Sequence, residues 1–146
     1  KLEIARGFGA TECIDARAGN AVEELRKILP GGADFVFVTV GAPAAMDQAF
    51  QMLAIGGAAV LVGMPPLGAS SAFDPLTLAD ASQRIIGSKM GQAVVRRDIP
   101  ALIRSYEAGR LKLDELVTGR FALDDVNEAL DTTRAGTGVR NVLLMD

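Results

Sequence analysis

The chain has 146 residues, 49% of them hydrophobic and 23% charged, with a net charge of -3, one Cys, one Tyr, and neither His nor Trp. That length suits an ordinary α/β domain, and a folded chain of this size buries roughly 70% of its extended surface. The acidic balance and scarce aromatics exclude a nucleic-acid surface, and the lack of His excludes a Cys/His zinc site, a His general base and a Ser-His-Asp triad.

The chain opens without Met, inside a helical pattern. Leu2, Ala5 and Phe8 recur at a three-residue step, and Gly9 marks the stop. Glu12–Asp15 reads as a strand. Asn20 with Glu23 forms a capping-box start. Val22, Leu25, Ile28 and Leu29 make that helix's inward stripe, ended by Pro30-Gly31-Gly32. Asp34–Val40 (DFVFVTV) is nearly all apolar, as in a strand covered on both faces. Pro43 suits the first position of the next helix, whose apolar face is Met46, Ala49, Phe50 and Leu53. Gly56-Gly57 is expected to stop it. Ala58–Gly63 is the next strand, followed by a Pro/Gly/Ser loop to about Asp74.

Pro75–Ala81 reads as a short helix and Arg84–Lys89 as a strand. Asp98 is placed as an N-cap, with Ile99, Leu102, Ile103 and Tyr106 as a buried stripe ending at Gly109. Leu116–Phe121 is an edge strand. Val126, Ala129 and Leu130 face inward from a helix that ends near Gly136, and Asn141–Met145 closes the chain as a strand. Charges such as Arg96, Arg97 and Arg104 read as solvated faces. The alternation points to an open α/β sheet. No apolar run is long enough to cross a bilayer, and no basic, apolar leader is visible. Cys13 has no internal disulfide partner, which suits a reducing cytoplasm.

Four stretches carry a family resemblance: KLEIARGFGATECID, DFVFVTVGAPAAMDQAF, GGAAVLVGMPP, and the tail from DIPALI through AGRLKLDELVTGRFALDDVNEAL to AGTGVRNVLLMD. Together they resemble the zinc-containing alcohol dehydrogenases of the medium-chain dehydrogenase/reductase superfamily, over essentially the whole chain. The resemblance implies a C-terminal portion of such an enzyme. The expected fold is α/β: a partial doubly wound Rossmann-type parallel sheet with only the later strands, plus a C-terminal segment of the substrate-side domain. Residues 1–90 would belong to the nucleotide-binding domain and residues 91–146 to the substrate-side domain. Without its earlier neighbours, the Glu12–Asp15 strand is expected to re-pair, swap between chains or be disordered.

The same resemblance implies coenzyme contacts. Lys1 would reach the adenosine ribose hydroxyls. Thr39, Val40 and Gly41 end a parallel strand, where ligands of open α/β sheets sit; Val40 would face the adenine, and Gly41 permits close approach. Val62, Gly63 and Met64 would meet the nicotinamide carboxamide with backbone donors and acceptors, joined by Ser88 and Met90. Arg140 would aim its guanidinium fork at the pyrophosphate.

The implied reaction is hydride transfer between an alcohol or aldehyde and NAD, with NADP also open. Zinc would polarise the alcohol oxygen in the intact parent, but no zinc ligand or catalytic residue is expected in this chain. There is no G-x-G-x-x-G turn, so the isolated chain is expected to be inactive. A homo-oligomer is expected, with the Arg84–Lys89 edge pairing across a dimer axis as in the family; no nucleic-acid or membrane partner is expected. Two alternatives stand beside this reading: a zinc-free quinone or enoyl reductase relative, and a non-catalytic nucleotide-binding or oligomerisation module.

Overall fold

The computed structural model describes residues 1–145. In chain order the elements are α1 (Leu2–Gly7), α2 (Ala21–Ile28), β1 (Ala33–Val38), α3 (Pro43–Gln51), β2 (Leu53–Leu61), α4 (Pro75–Asp80) and β3 (Arg84–Gly87). Then come α5 (Val95–Glu107), β4 (Val117–Ala122), α6 (Val126–Ala135) and β5 (Arg140–Leu144). They form two compact units. One is Ile14–Ala93; the other joins Lys1–Cys13 to the segment from Val94 onward.

The Ile14–Ala93 unit is a parallel sheet in the order β1-β2-β3. Helix α2 begins as its residues dictate. The Asn20 side chain accepts from the Val22 N–H at 3.0 Å and the Glu23 N–H at 3.4 Å, while its amide donates to Glu23 Oε1. Pro43 opens α3, where its missing N–H costs nothing. Val38, Met46 and Ala49 are 5%, 4% and 2% exposed and form the core, with Val36, Ala45, Phe50 and Leu61 against it.

The second unit holds a two-stranded parallel sheet, β4-β5, joined through α6. Gly136 ends α6 at φ 67°, a conformation that suits glycine. Ala129 is the buried residue of that helix.

Several expectations are corrected. Glu12–Asp15 is not a strand. Asp15 instead makes a local turn: its Oδ1 accepts the Arg17 N–H and its carbonyl accepts the Ala18 N–H, both at 3.0 Å. Gly56-Gly57 does not stop α3, which ends at Gln51. Both glycines lie in β2, where the register jumps from Ala33↔Leu53 to Phe35↔Ala58. The chain loops out there, with Gly56 at φ 72°. Leu53 is buried from this strand, not from α3. Helix α5 begins at Val95, ahead of Asp98, whose Oδ2 reaches back to the Val94 N–H at 2.7 Å.

Burial is also lower than expected. The stripe Ile99, Leu102, Ile103 and Tyr106 is exposed, as are Ile28, Leu29 and Leu130. Their spacing forms helices, but burial requires a partner surface.

Candidate functional site

The strongest convergence of backbone lies at the carboxyl ends of β1 and β2. The Val38 carbonyl accepts two N–H groups, from Val62 at 2.9 Å and Gly63 at 2.8 Å. This draws the two strand-ending turns together. A Cβ on Gly63 would lie 2.7 Å from the Val40 nitrogen, and one on Gly41 would lie 2.8 Å from the Met64 carbonyl carbon. Both positions need glycine for close approach, not for an unusual φ.

An open cleft of about 420 Å³ lies at the carboxyl ends of β2 and β3. Val62, Gly63, Met64, Ser88, Lys89 and Gln92 line it. The N–H groups of Val62 and Gly63 are already engaged by Val38, and that of Ser88 by Leu61 at 2.9 Å. What these residues present is therefore two carbonyl acceptors and the Ser88 hydroxyl. The sequence reading expected donors and acceptors alike from this backbone. The pairing of β1 with β2 removes the two donors.

Eight of the ten expected contact residues fall in the Ile14–Ala93 unit: Thr39, Val40, Gly41, Val62, Gly63, Met64, Ser88 and Met90. Four of these, Val62, Gly63, Met64 and Ser88, line the cleft. Thr39, Val40 and Gly41 form the adjoining turn, with Val40 52% exposed. Met90 is outside the lining and 80% exposed. It opens a left-handed run, Met90, Gly91 and Gln92 at φ 50°, 65° and 53°, which brings Gln92 to the cleft. Lys89 and Gln92 were not singled out from the sequence. The Gly91 between them was the available signal for a turn.

Lys1 and Arg140 belong to the other unit. The Lys1 ammonium lies 3.7 Å from where a Gly136 Cβ would stand, at the carbonyl end of α6, a favourable place for a cation. Arg140 opens β5 and is exposed. Among the described residues, no carboxylate pairs with its guanidinium.

A second cavity, of about 290 Å³, lies by α3 and α4. Phe50 and Phe73 meet there edge to face, with centroids 6.0 Å apart. Its carboxylates already serve the fold. Asp47 accepts from the Ser71 hydroxyl and from the Ala72 N–H at 2.8 Å, which holds its carboxyl below the usual range. Asp74 caps α4, bonded by the Thr77 hydroxyl and the Leu76 N–H, with the same effect. The strand-end cleft, with unengaged acceptors beside two glycine-tight turns, is the better candidate.

The glycine contacts bring the Gly41 and Gly63 turns against each other beside the cleft. The residues do not fit a metal. Among the described residues no group of three or more His, Cys, Asp or Glu side chains comes together. No helix among them is long and apolar enough to cross a membrane.

Comparisons with known proteins identify the family. A family model described as zinc-binding dehydrogenase matches residues 1–108. The chain is 31% identical to a geraniol dehydrogenase of Carpoglyphus lactis, covering 99% of this chain and 38% of that protein. It is 30% identical to an S-(hydroxymethyl)glutathione dehydrogenase of Paracoccus denitrificans, covering 99% and 40%. The crystal structure of benzyl alcohol dehydrogenase from Acinetobacter calcoaceticus superposes with a TM-score of 0.93 at 30% identity, over 99% of this chain and 40% of that one. The chain thus spans about two fifths of the length of these relatives. On the family match, the strand order and the glycine-tight turns at the strand ends, this chain belongs to the zinc-binding dehydrogenase family.

Proposed function

We propose that this chain supplies part of the nicotinamide-coenzyme site of an alcohol dehydrogenase. The observation that carries this is the pair of turns at Gly41 and Gly63, pressed together beside an open cleft at the strand ends. The coenzyme, NAD or NADP, supplies the hydride acceptor or donor when bound. The chain's residues bind and orient. The Val62 and Gly63 carbonyls and the Ser88 hydroxyl hold the carboxamide, and Val40 with Thr39 and Gly41 walls the adenosine side. Met64 and Met90 pack at its margins. Lys1 serves the ribose and Arg140 the pyrophosphate.

The substrate of the parent enzyme is a small-molecule alcohol or aldehyde, in line with the names of the relatives. Zinc belongs to residues outside this set, since none here can hold it. Residues 1–90 belong to the nucleotide-binding domain and residues 91–146 to the substrate-side domain. The protein is a homo-oligomer of the cytoplasm. The β3 edge, which has no second strand neighbour among the described residues, supports the assembly, and the lone Cys13 supports the compartment.

The test is coenzyme binding by nucleotide fluorescence with the natural protein that carries this sequence. Gly63→Ala is expected to weaken NADH at least about tenfold, ~1.4 kcal/mol, because its Cβ meets the Val40 backbone. Unchanged affinity in a folded variant would sink the reading.

A further inference from the structure

Arg140 sits between two residues that are held in unusual ways. In the β4-β5 ladder, Val117 pairs with Arg140 but Gly119 pairs with Asn141. Two steps along β4 answer one along β5, so Thr118 is the extra residue of a bulge. Bulges re-aim neighbouring side chains. The Thr118 hydroxyl takes the place of ladder groups: its Oγ1 accepts the Val139 N–H at 2.9 Å and donates to the Arg140 carbonyl at 3.4 Å.

On the other side, Asn141 is fixed to α6. Its amide donates to the Ala129 carbonyl at 2.9 Å and the Thr133 Oγ1 at 3.0 Å. Its Oδ1 is buried without a hydrogen-bond partner among the described residues. That oxygen faces two glycines: a Cβ would lie 2.5 Å from it at Gly119 and 3.2 Å at Gly138. The bulge, both glycines and the helix anchor thus close around the backbone of residues 139–141. The Arg140 side chain is left exposed, with no carboxylate partner among the described residues.

We propose that Thr118, backed by Asn141, is a positioning residue for Arg140: its bulge hydroxyl sets the backbone from which the guanidinium meets a diphosphate. This rests on the reading that Arg140 serves the coenzyme pyrophosphate. Thr118 itself touches no ligand. A hydroxyl on a bulge that served stability alone would have no bearing on phosphate recognition.

The test compares ADP-ribose, which carries the diphosphate, with adenosine, which does not, in the natural protein that carries this sequence. Thr118→Val is expected to weaken ADP-ribose about tenfold and leave adenosine unchanged, with Thr118→Ser restoring affinity. In an Arg140→Ala background, Thr118→Val should have no further effect, since coupled residues are not additive. Equal loss in both backgrounds, or equal loss for both ligands, overturns the proposal. Should Thr118→Val fail to fold, Gly119→Ala asks the same question by displacing the Asn141 amide. If Arg140→Ala alone leaves ADP-ribose binding unchanged, the pyrophosphate reading itself falls and takes the proposal with it. That outcome is distinct from a Thr118 failure over an intact Arg140 effect.

Discussion

The two faces of the β1-β2-β3 sheet come from the same strands and meet different fates. In-register neighbours of a parallel pair share a face. Val36, Val38 and Leu61 point toward α3 and pack with Met46 and Ala49. Phe35 and Phe37 point the other way, 59% and 64% exposed, their rings stacked at 6.4 Å. Val60 and Ile86 share that open face by register. Apolar character is therefore no guide to which face is buried. Large side chains are buried where an element lies across them, as α3 does on one face; on the other the small Ala58 is buried, but Phe35 and Phe37 are not.

The largest effect should come from the covered face. Met46→Ala is expected to cost about 2–5 kcal/mol through lost contact and a cavity, measured by denaturant unfolding of the 146-residue chain. Phe37→Ser, on the open face, should change stability by no more than about 0.5 kcal/mol, despite removing the larger side chain. A cost above about 2 kcal/mol would mean that something covers that face in solution, and the contrast would break.

Helix α2 shows how local signals act beside this packing. Asn20→Ala removes the cap on the Val22 and Glu23 N–H groups and should cost about 1 kcal/mol, seen as a lower midpoint with unchanged slope.

The smallest effect is titration. The Thr77 hydroxyl and Leu76 N–H hold Asp74 below the ordinary carboxylate value. Arg97 and the Val94 N–H do the same for Asp98. Asp15 is lowered to about 2, chiefly by Arg17. A folded pKa below the unfolded one, about 3.9, stabilises above that value. The gain is lost as pH falls through the folded pKa. Stability should thus be flat from pH 7 to about 5 and decline below about 4. All three carboxylates are accessible to solvent and screened, so each share is small. Asp98→Asn should flatten the decline slightly; an unchanged acid profile in circular dichroism melts would remove Asp98 from it.

Apart from the Glu12–Asp15 strand, the order of elements, the parallel α/β class and several boundaries were readable from residues alone. Asn20, Pro43 and Gly136 act within a turn of their own position, through a cap, a locked φ and a left-handed stop. Gly41 and Gly63 were singled out at strand ends, and the structure shows them in two turns that press together. Tertiary structure decided the rest. The pair Gly56-Gly57 satisfies a helix stop and a strand excursion equally well, and only the pairing of β2 with β1 chose between them. Glu12–Asp15 has strand-like residues, but Asp15 bonds its own neighbours and no adjacent strand outbids it. Val62 and Gly63 lost their donors to Val38, and Thr118 gained its place at Arg140, through bonds between residues about twenty or more apart in the chain. Hydrogen bonds and rotamer limits within a turn are written locally. Burial, register and the direction a donor faces depend on which distant segment comes alongside.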